Sequence, residues 1–219
     1  MTQEALEREA GRYQAWYATR RGSRADAAER SLLAWLLEPC GELERTLEVG
    51  CGTGHFTRWL ARRGGVAIGL DRSRAMLREA RRSSPELPLV LGDAARLPFA
   101  DRSVDLVLFA TTLEFVGDPA GALREAVRVA RRGVVVVAQN RWSIGGLSRR
   151  FGRQRRSPIL GRAKDGSARS LRAALAAAAG PRLAHVRWAS TLFPDGLSAL
   201  RLRLAVGGDV VGIAATLRR

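Results

Sequence analysis

Five short apolar runs, ending at Val49, at Leu70, near Leu91, at Ala110 and near Ala138, recur along the chain with amphipathic helical patterns between them. Runs this short and this continuous are what strands buried on both faces require, because a strand with one wet face alternates instead. The helical stretches carry their own punctuation. One bears Phe56, Trp59 and Leu60 and stops at Gly64. A second takes Ser73 as N-cap and buries Met76, Leu77 and Ala80. A third opens with Asp118 and Pro119, runs through Leu123, Ala126 and Val127, and ends at Gly133. Strand, crossover helix and parallel strand at this spacing predict an α/β fold, an open, right-handed, doubly wound and mostly parallel sheet with helices on both sides. Two late strand candidates, residues 183–191 and 209–218, follow an Ala/Leu helix near 170–179 and are expected to finish one edge.

Two helices precede the first strand. Leu6, Ala10, Tyr13 and Tyr17 share a face of one; Ala28, Leu32 and Leu36 share a face of the other, for which Asp26 and Glu29 read as a capping pair. Neither has a place in the sheet, so both are expected as an N-terminal helical cap across an edge or over the site. A chain of 219 residues suffices for one sizeable core, and no second apolar block is present.

No apolar run approaches the roughly 18 to 20 residues of a membrane span, and the N-terminus is charged and helical, so a soluble, cytoplasmic protein is expected. Cys40 and Cys51 are too few for a disulfide framework. With only His55 and His185 beside them, no zinc cluster is offered and no metal is expected.

Charge is uneven. The chain has 37 basic and 21 acidic residues, a net charge of +16, and Lys164 is its only lysine. Between Arg141 and Arg172 stand ten basic residues and one acid. Such a field attracts nucleic acid, anionic lipid or an acidic small molecule without choosing among them. Trp142, Ile144, Leu147 and Phe151 recur at near-helical spacing among Arg149, Arg150, Arg153, Arg155 and Arg156. That pattern fits a basic amphipathic helix in peripheral contact with an anionic membrane through residues 141–160, or equally a solvated surface helix.

The first strand runs into "LEVGCGTGHF", with Gly50, Gly52 and Gly54 in five positions. In doubly wound sheets, ligands bind beyond the carboxyl ends of the strands at this place. A nicotinamide dinucleotide reader would show G-x-G-x-x-G with no acid nearby, but His55 stands where the third glycine would be and Glu48 lies two residues ahead of the first. No Walker lysine follows. Glu48 would repel phosphate and welcome an ammonium or sulfonium group, so a cationic nucleoside is expected. Asp71, about twenty residues on in "IGLDRS", ends the second run where a carboxylate accepts hydrogen bonds from ribose hydroxyls. Asp93 in "LGDAARLPF" ends the third.

In order and spacing, "LEVGCGTG", "GLDRS", "GDAARLPF" and "DLVLFATTLEFV" resemble the successive motifs of class I S-adenosylmethionine-dependent methyltransferases of the small type-11 kind, over about residues 46 to 140. The resemblance implies the seven-stranded Rossmann-like sheet of that family and S-adenosylmethionine as cofactor, with S-adenosylhomocysteine as product. It places Glu48 near the methionine amino group, and Gly50, Cys51 and Gly52 in close backbone approach. Asp71 and its neighbour Arg72 fall at the ribose, and Asp93 faces the adenine amino group with the Ala94 backbone beside it and Met76 against the ring. The Ala110 backbone matches the position that holds the methionine end. One domain in four stretches is expected: a helical cap (1–40), a cofactor-binding core (41–140), an Arg-rich substrate or surface segment and helix (141–182), and C-terminal strands (183–219).

Methyl transfer is an in-line displacement on activated carbon, so alignment of the acceptor and exclusion of water supply most of the acceleration. A base is needed only where the acceptor must lose a proton, and Glu114 and His55 are the candidates. Tyr13, Trp16 and Tyr17 read as a lid over the cofactor. The acceptor expected is a small molecule, acidic or lipid-like. RNA is the alternative, against which "TTLEFV" lacks the Asn-Pro-Pro-Tyr type of tetrapeptide. A non-catalytic protein that holds the nucleoside or a partner is the reading from a different class. Whether the chain is a monomer or a homodimer stays open.

Overall fold

The computed structural model describes residues 11, 14–140, 167–191 and 208–218. In chain order these form α1 (Arg20–Leu37), β1 (Arg45–Val49), α2 (His55–Ala61), β2 (Val66–Asp71), α3 (Arg74–Ser83), β3 (Leu89–Leu91), β4 (Val104–Ala110), α4 (Pro119–Val129), β5 (Ala130–Gln139), α5 (Ala168–Ala179), β6 (Leu183–Thr191) and β7 (Val210–Leu217). One seven-stranded sheet results, in the order β3-β2-β1-β4-β5-β7-β6. Strands β1 to β5 pair in parallel, and β7 enters antiparallel between β5 and β6. The sheet is the doubly wound, mostly parallel one that the apolar runs predict. Its strand order reverses beside β1, which puts the exit of β1 at the crevice where ligands bind.

The continuous runs are continuous because each feeds two cores. All seven residues of β4 are buried. Their period of two sends Val107 and Phe109 to a core shared with Leu123, Ala126 and Val127 of α4 and Leu175 of α5. Leu106, Leu108 and Ala110 go to the opposite core, with Leu32, Leu33 and Leu36 of α1 and Phe56 and Leu60 of α2. β5 divides in the same way, Val134 and Val136 to one side, Val135 and Val137 to the other.

Helix α1 crosses the sheet over β7, where Gly212 leaves room for it. A Cβ at Gly212 would lie 2.6 Å from Leu36 Cδ1 and 2.8 Å from Leu32 Cδ2. The Arg187 guanidinium of β6 lies 3.7 Å from the Trp35 ring and donates to Glu38 at 3.0 Å, holding the outer side of the helix to the sheet edge.

Local signals were misread at three places. Thr19, not Asp26 or Glu29, caps α1, with its hydroxyl accepting the Gly22 N–H at 3.0 Å. The helix begins two turns before the acids, so they are interior residues. Helix α4 ends at Val129 and not Gly133, and the chain passes directly into β5. Parallel pairing of Ala130 with Val104 overrides the polar Arg131–Arg132 step. Those arginines are held as strand residues: Arg131 Nε donates to Arg102 O at 2.7 Å, and Arg132 Nε lies 3.5 Å from Asp105. On α3, Ser73 is the N-cap and Ala80 is buried, but Met76 and Leu77 are only half-buried. The three-residue edge strand β3 is too short to cover that face. Leu6, Ala10, Tyr13 and the Arg-rich residues 141–166 lie outside the described residues. Tyr17 sits in a turn between helical residues 14–16 and α1, not on a helix face.

Among the described residues no helix is long and apolar enough to cross a membrane. Gly212→Ala should lower stability by about 1 to 3 kcal/mol through overpacking against Leu32 and Leu36. A fall in the urea midpoint at constant slope would report it, and an unchanged midpoint would show that α1 does not seat there.

Candidate active site

The glycine turn is shaped by three left-handed residues. Gly50, Gly52 and Gly54 have φ of 73°, 54° and 78°, a region that side chains disfavour. At Gly50 space decides as well, since a Cβ there would lie 2.0 Å from Thr112 Cγ2. Thr112 follows β4, and its hydroxyl lies 3.0 Å from both Gly50 O and Ala110 O, so it ties the turn to the end of the neighbouring strand. Between them stands Thr111 at φ 49°, a strained conformation for a β-branched residue, fixed by the Thr111 N–H bond to Val137 O at 2.7 Å.

Asp71, at the end of β2, closes the other side. Its Oδ2 accepts the Gly52 N–H at 2.8 Å and its Oδ1 the Ser73 N–H at 2.8 Å. Burial raises its pKa, and these two backbone donors oppose the rise. A carboxylate has about four acceptor sites, so Asp71 keeps acceptor capacity for a further hydroxyl. Beneath the turn, Glu48 of β1 is buried at 2% exposure and accepts a hydrogen bond from the Thr57 hydroxyl of α2. Burial pushes Glu48 up to about 8, partly offset by Thr57 and reinforced by Asp71. Cys51, also buried, has its thiol raised by burial and by the two acids.

A second cluster forms where the N-terminal half of α1 meets the start of α2. His55 Nε2 lies 2.7 Å from Asp26 Oδ1, which also accepts Arg30 Nε at 2.7 Å. The Tyr17 ring stacks on His55 with centroids 3.6 Å apart and planes 8° from parallel. Burial lowers the His55 pKa, against the pull of Asp26. Gln14 joins this segment to the turn, accepting from Thr53 Oγ1 at 2.8 Å and from Arg58 at 3.3 Å. Glu114, in the short 3₁₀ turn Leu113–Phe115 after β4, is buried and accepts the Gln139 N–H at 3.3 Å. On α1, Glu29 is buried, and its pKa rises to about 8 from burial first, then from Asp26 and Glu114.

The structure thus brings Glu48, Gly50, Cys51, Gly52, Asp71 and Ala110 around one turn, and His55 and Tyr17 against each other beside it. Asp93 is exposed, accepting the Ala95 N–H at 2.9 Å, with Ala94 and Met76 half-buried and Arg72 exposed. Tyr13 lies outside the described residues. Sequence reasoning missed Thr57, Thr112, Arg30 and Gln14, and misassigned Asp26 and Glu29. For Glu29 a signal was present: it lies three and four residues before Leu32 and Leu33, an acid on the apolar stripe of its own helix.

Residues 47–138 match the family model for a methyltransferase domain. The chain is 39% identical over 97 residues to a demethylmenaquinone methyltransferase of Renibacterium salmoninarum, covering 44% of this chain and 41% of that protein. It is 34% identical over 133 residues to a malonyl-acyl-carrier-protein O-methyltransferase of Serratia marcescens, covering 61% and 49%. A crystal structure from Thermotoga maritima, described as a SAM-dependent methyltransferase and possible histamine N-methyltransferase, matches with a TM-score of 0.81 at 27% identity, over 99% of this chain and 100% of that one. The chain spans about half or less of the length of the curated relatives it matches. Residues 47–138 thus match a methyltransferase domain, and the whole described fold is similar to that of a SAM-dependent methyltransferase.

Glu48 gives a pH prediction. Its folded pKa near 8 stands above the ordinary 4.5, so the folded chain keeps a proton that the unfolded chain has released. The stabilisation is full below about 4.5 and is lost as pH rises through about 8. Glu48→Gln cannot ionise and should lose less stability across that interval in urea titrations at stepped pH. Equal slopes for the two proteins would contradict the assignment.

Proposed function

We propose that the chain transfers the methyl group of S-adenosylmethionine to a small-molecule acceptor. The observation that carries this reading is the Asp71 carboxylate, anchored by Gly52 and Ser73 N–H with acceptor sites to spare, beside a turn that tolerates no side chain at Gly50. These residues fit an adenosine with an unmodified ribose, and the acid beneath them, Glu48, fits the cationic methionine end better than a pyrophosphate. When bound, the cofactor supplies a methyl carbon activated by a positively charged sulfur.

The chain's own residues supply position and proton management. Asp71 would hold the ribose hydroxyls. Gly50 and Gly52 give close backbone approach, with Cys51 between them. Glu48 and the Ala110 backbone lie toward the methionine end, and Asp93, Ala94, Arg72 and Met76 toward the adenosine end. Tyr17, stacked on His55 and followed by α1, covers the acceptor side and excludes water. His55, kept neutral at pH 7 by its lowered pKa, is fit to accept a proton, and Asp26 fixes its ring. Glu114 is the second acceptor of a proton on this side. Acids at Asp26, Glu29 and Glu114 disfavour an acidic group at this spot. The relatives with quinone and acyl-carrier acceptors support a small or lipid-like molecule.

Incubation with methyl-labelled cofactor and separate small-metabolite, lipid and RNA fractions should place label in a small-metabolite or lipid fraction. Asp71→Ala should weaken S-adenosylhomocysteine binding by about 1 to 3 kcal/mol, the range for hydrogen bonds to a buried charge. Label in RNA alone would overturn the acceptor reading, and unchanged affinity would remove Asp71 from the site.

A further inference from the structure

Strands β4 and β5 pair in parallel with one break in register: Val104 lies opposite Ala130, but Leu106 lies opposite Gly133. Arg131 and Arg132 therefore both oppose Asp105, as two residues of a bulged strand oppose one on its partner. In a regular strand, consecutive side chains leave on opposite faces. The bulge cancels that alternation, and both guanidinium groups reach the same carboxyl oxygen. Arg132 Nε lies 3.5 Å and Arg131 Nη1 3.8 Å from Asp105 Oδ1. Oδ2 of the buried Asp105 accepts the Glu44 and Arg45 N–H groups at 2.9 and 3.0 Å, so both of its oxygens are served from within the fold.

Backbone carbonyls hold the two arginines further. Arg131 Nε donates to Arg102 O at 2.7 Å and its Nη2 to Ser103 O at 3.3 Å, while Arg132 Nη1 donates to Cys40 O at 3.4 Å and to Glu42 O. Arg102 stands in the turn before β4 at φ 50°, with its N–H bonded to Arg128 O at 2.9 Å. Among the described residues no hydrogen bond or ion pair holds the Arg102 guanidinium. A cavity of about 260 Å³ is lined by Arg102, Asp105, Arg131 and Arg132. Its walls carry three positive charges against one negative. The neighbouring Asp101 does not balance them, because it is bound to Arg128 at 2.6 Å.

We propose that this cavity is a binding site for a phosphate monoester, separate from the glycine turn. Above its second pKa of about 6 such a group is a dianion, which matches the surplus of two charges. Its three terminal oxygens accept donors arriving from three side chains, and arginine forks already held by carbonyls lose little freedom on meeting it. A single carboxylate offers half the charge and two oxygens in one plane. The cavity lies at the amino end of β4, whereas Ala110 ends that strand. At about 3.3 Å per residue, roughly 20 Å separates the two. The guest is thus a second ligand and not the methyl acceptor, and the assignment does not depend on the methyltransferase reading.

The test is calorimetry on the full chain at pH 8 and fixed ionic strength, with glycerol 3-phosphate as the monoester and dimethyl phosphate as a singly charged diester. Glycerol 3-phosphate should give saturable heat at one site and bind at least about tenfold more tightly than the diester, the equivalent of one charged hydrogen bond. Arg102→Gln should weaken it by about tenfold or more, and Arg102→Lys, which keeps the charge but loses the fork, by less. Arg82→Gln removes the same charge from an exposed position on α3 and should leave the affinity unchanged. Urea midpoints of both Arg102 variants, measured without phosphate, should match the wild type. Sedimentation with vesicles of equal parts phosphatidylcholine and phosphatidic acid separates the two sources of such a group. Arg102-dependent binding of the soluble probe assigns a soluble metabolite; Arg102-dependent binding to the vesicles alone assigns a lipid headgroup. Binding to neither, equal affinity for monoester and diester, or equal losses in Arg102→Gln and Arg82→Gln would each overturn the site. Lowered midpoints in both Arg102 variants would make that residue a structural one and overturn it as well.

Discussion

The Asp71 carboxylate holds the two halves of the site to each other. By accepting Gly52 N–H from the turn after β1 and Ser73 N–H from the start of α3, it fixes two loop segments that would otherwise move independently. Both donors are backbone amides, so the carboxylate is oriented by the fold and not by mobile side chains. Gly50 and Cys51 N–H bonding to Leu70 O, at 2.7 and 3.0 Å, complete the link between β1's exit and β2. The turn is therefore organised before any ligand arrives, and a ligand bound there does not bear the entropy of ordering it.

Helix α1 joins stability to function in a single element. Its lower turns bury Leu32, Leu33 and Leu36 against the sheet, and its upper turns carry Asp26, Glu29 and Arg30 to the carboxyl ends of the strands. The apolar contacts set the height and rotation of the acids, so the contact of Asp26 with His55 is positioned by the core. Tyr17 and Gln14, just ahead of the helix, extend the same connection to His55 and Thr53.

Much of this was legible from the chain alone because it rests on period and on glycine. Strands β1, β2, β4 and β6 stand where apolar runs end or span, and the turn glycines all take the positive φ that their spacing required. Asp71 was legible because it sits at a fixed distance behind that turn. What could not be read depends on contacts between distant residues. The locking of Gly50 by Thr112 spans 62 positions, and Asp26 reaching His55 spans 29. The acids of α1 were misassigned to a cap because local reasoning prefers a local partner; their true neighbours come from α2 and the turn after β4. Likewise β5 begins at Ala130 because pairing with β4 outweighs two arginines that read as a helix end.

The central claim is that this preformed turn, flanked by Glu48 and Asp71, selects a positively charged adenosine derivative over a dinucleotide. Calorimetric titration of the wild-type chain with S-adenosylmethionine and, separately, with nicotinamide adenine dinucleotide tests it most directly. The account predicts saturable heat at one site per chain for the first and none for the second. Saturable heat with the dinucleotide, and none with S-adenosylmethionine, would contradict it.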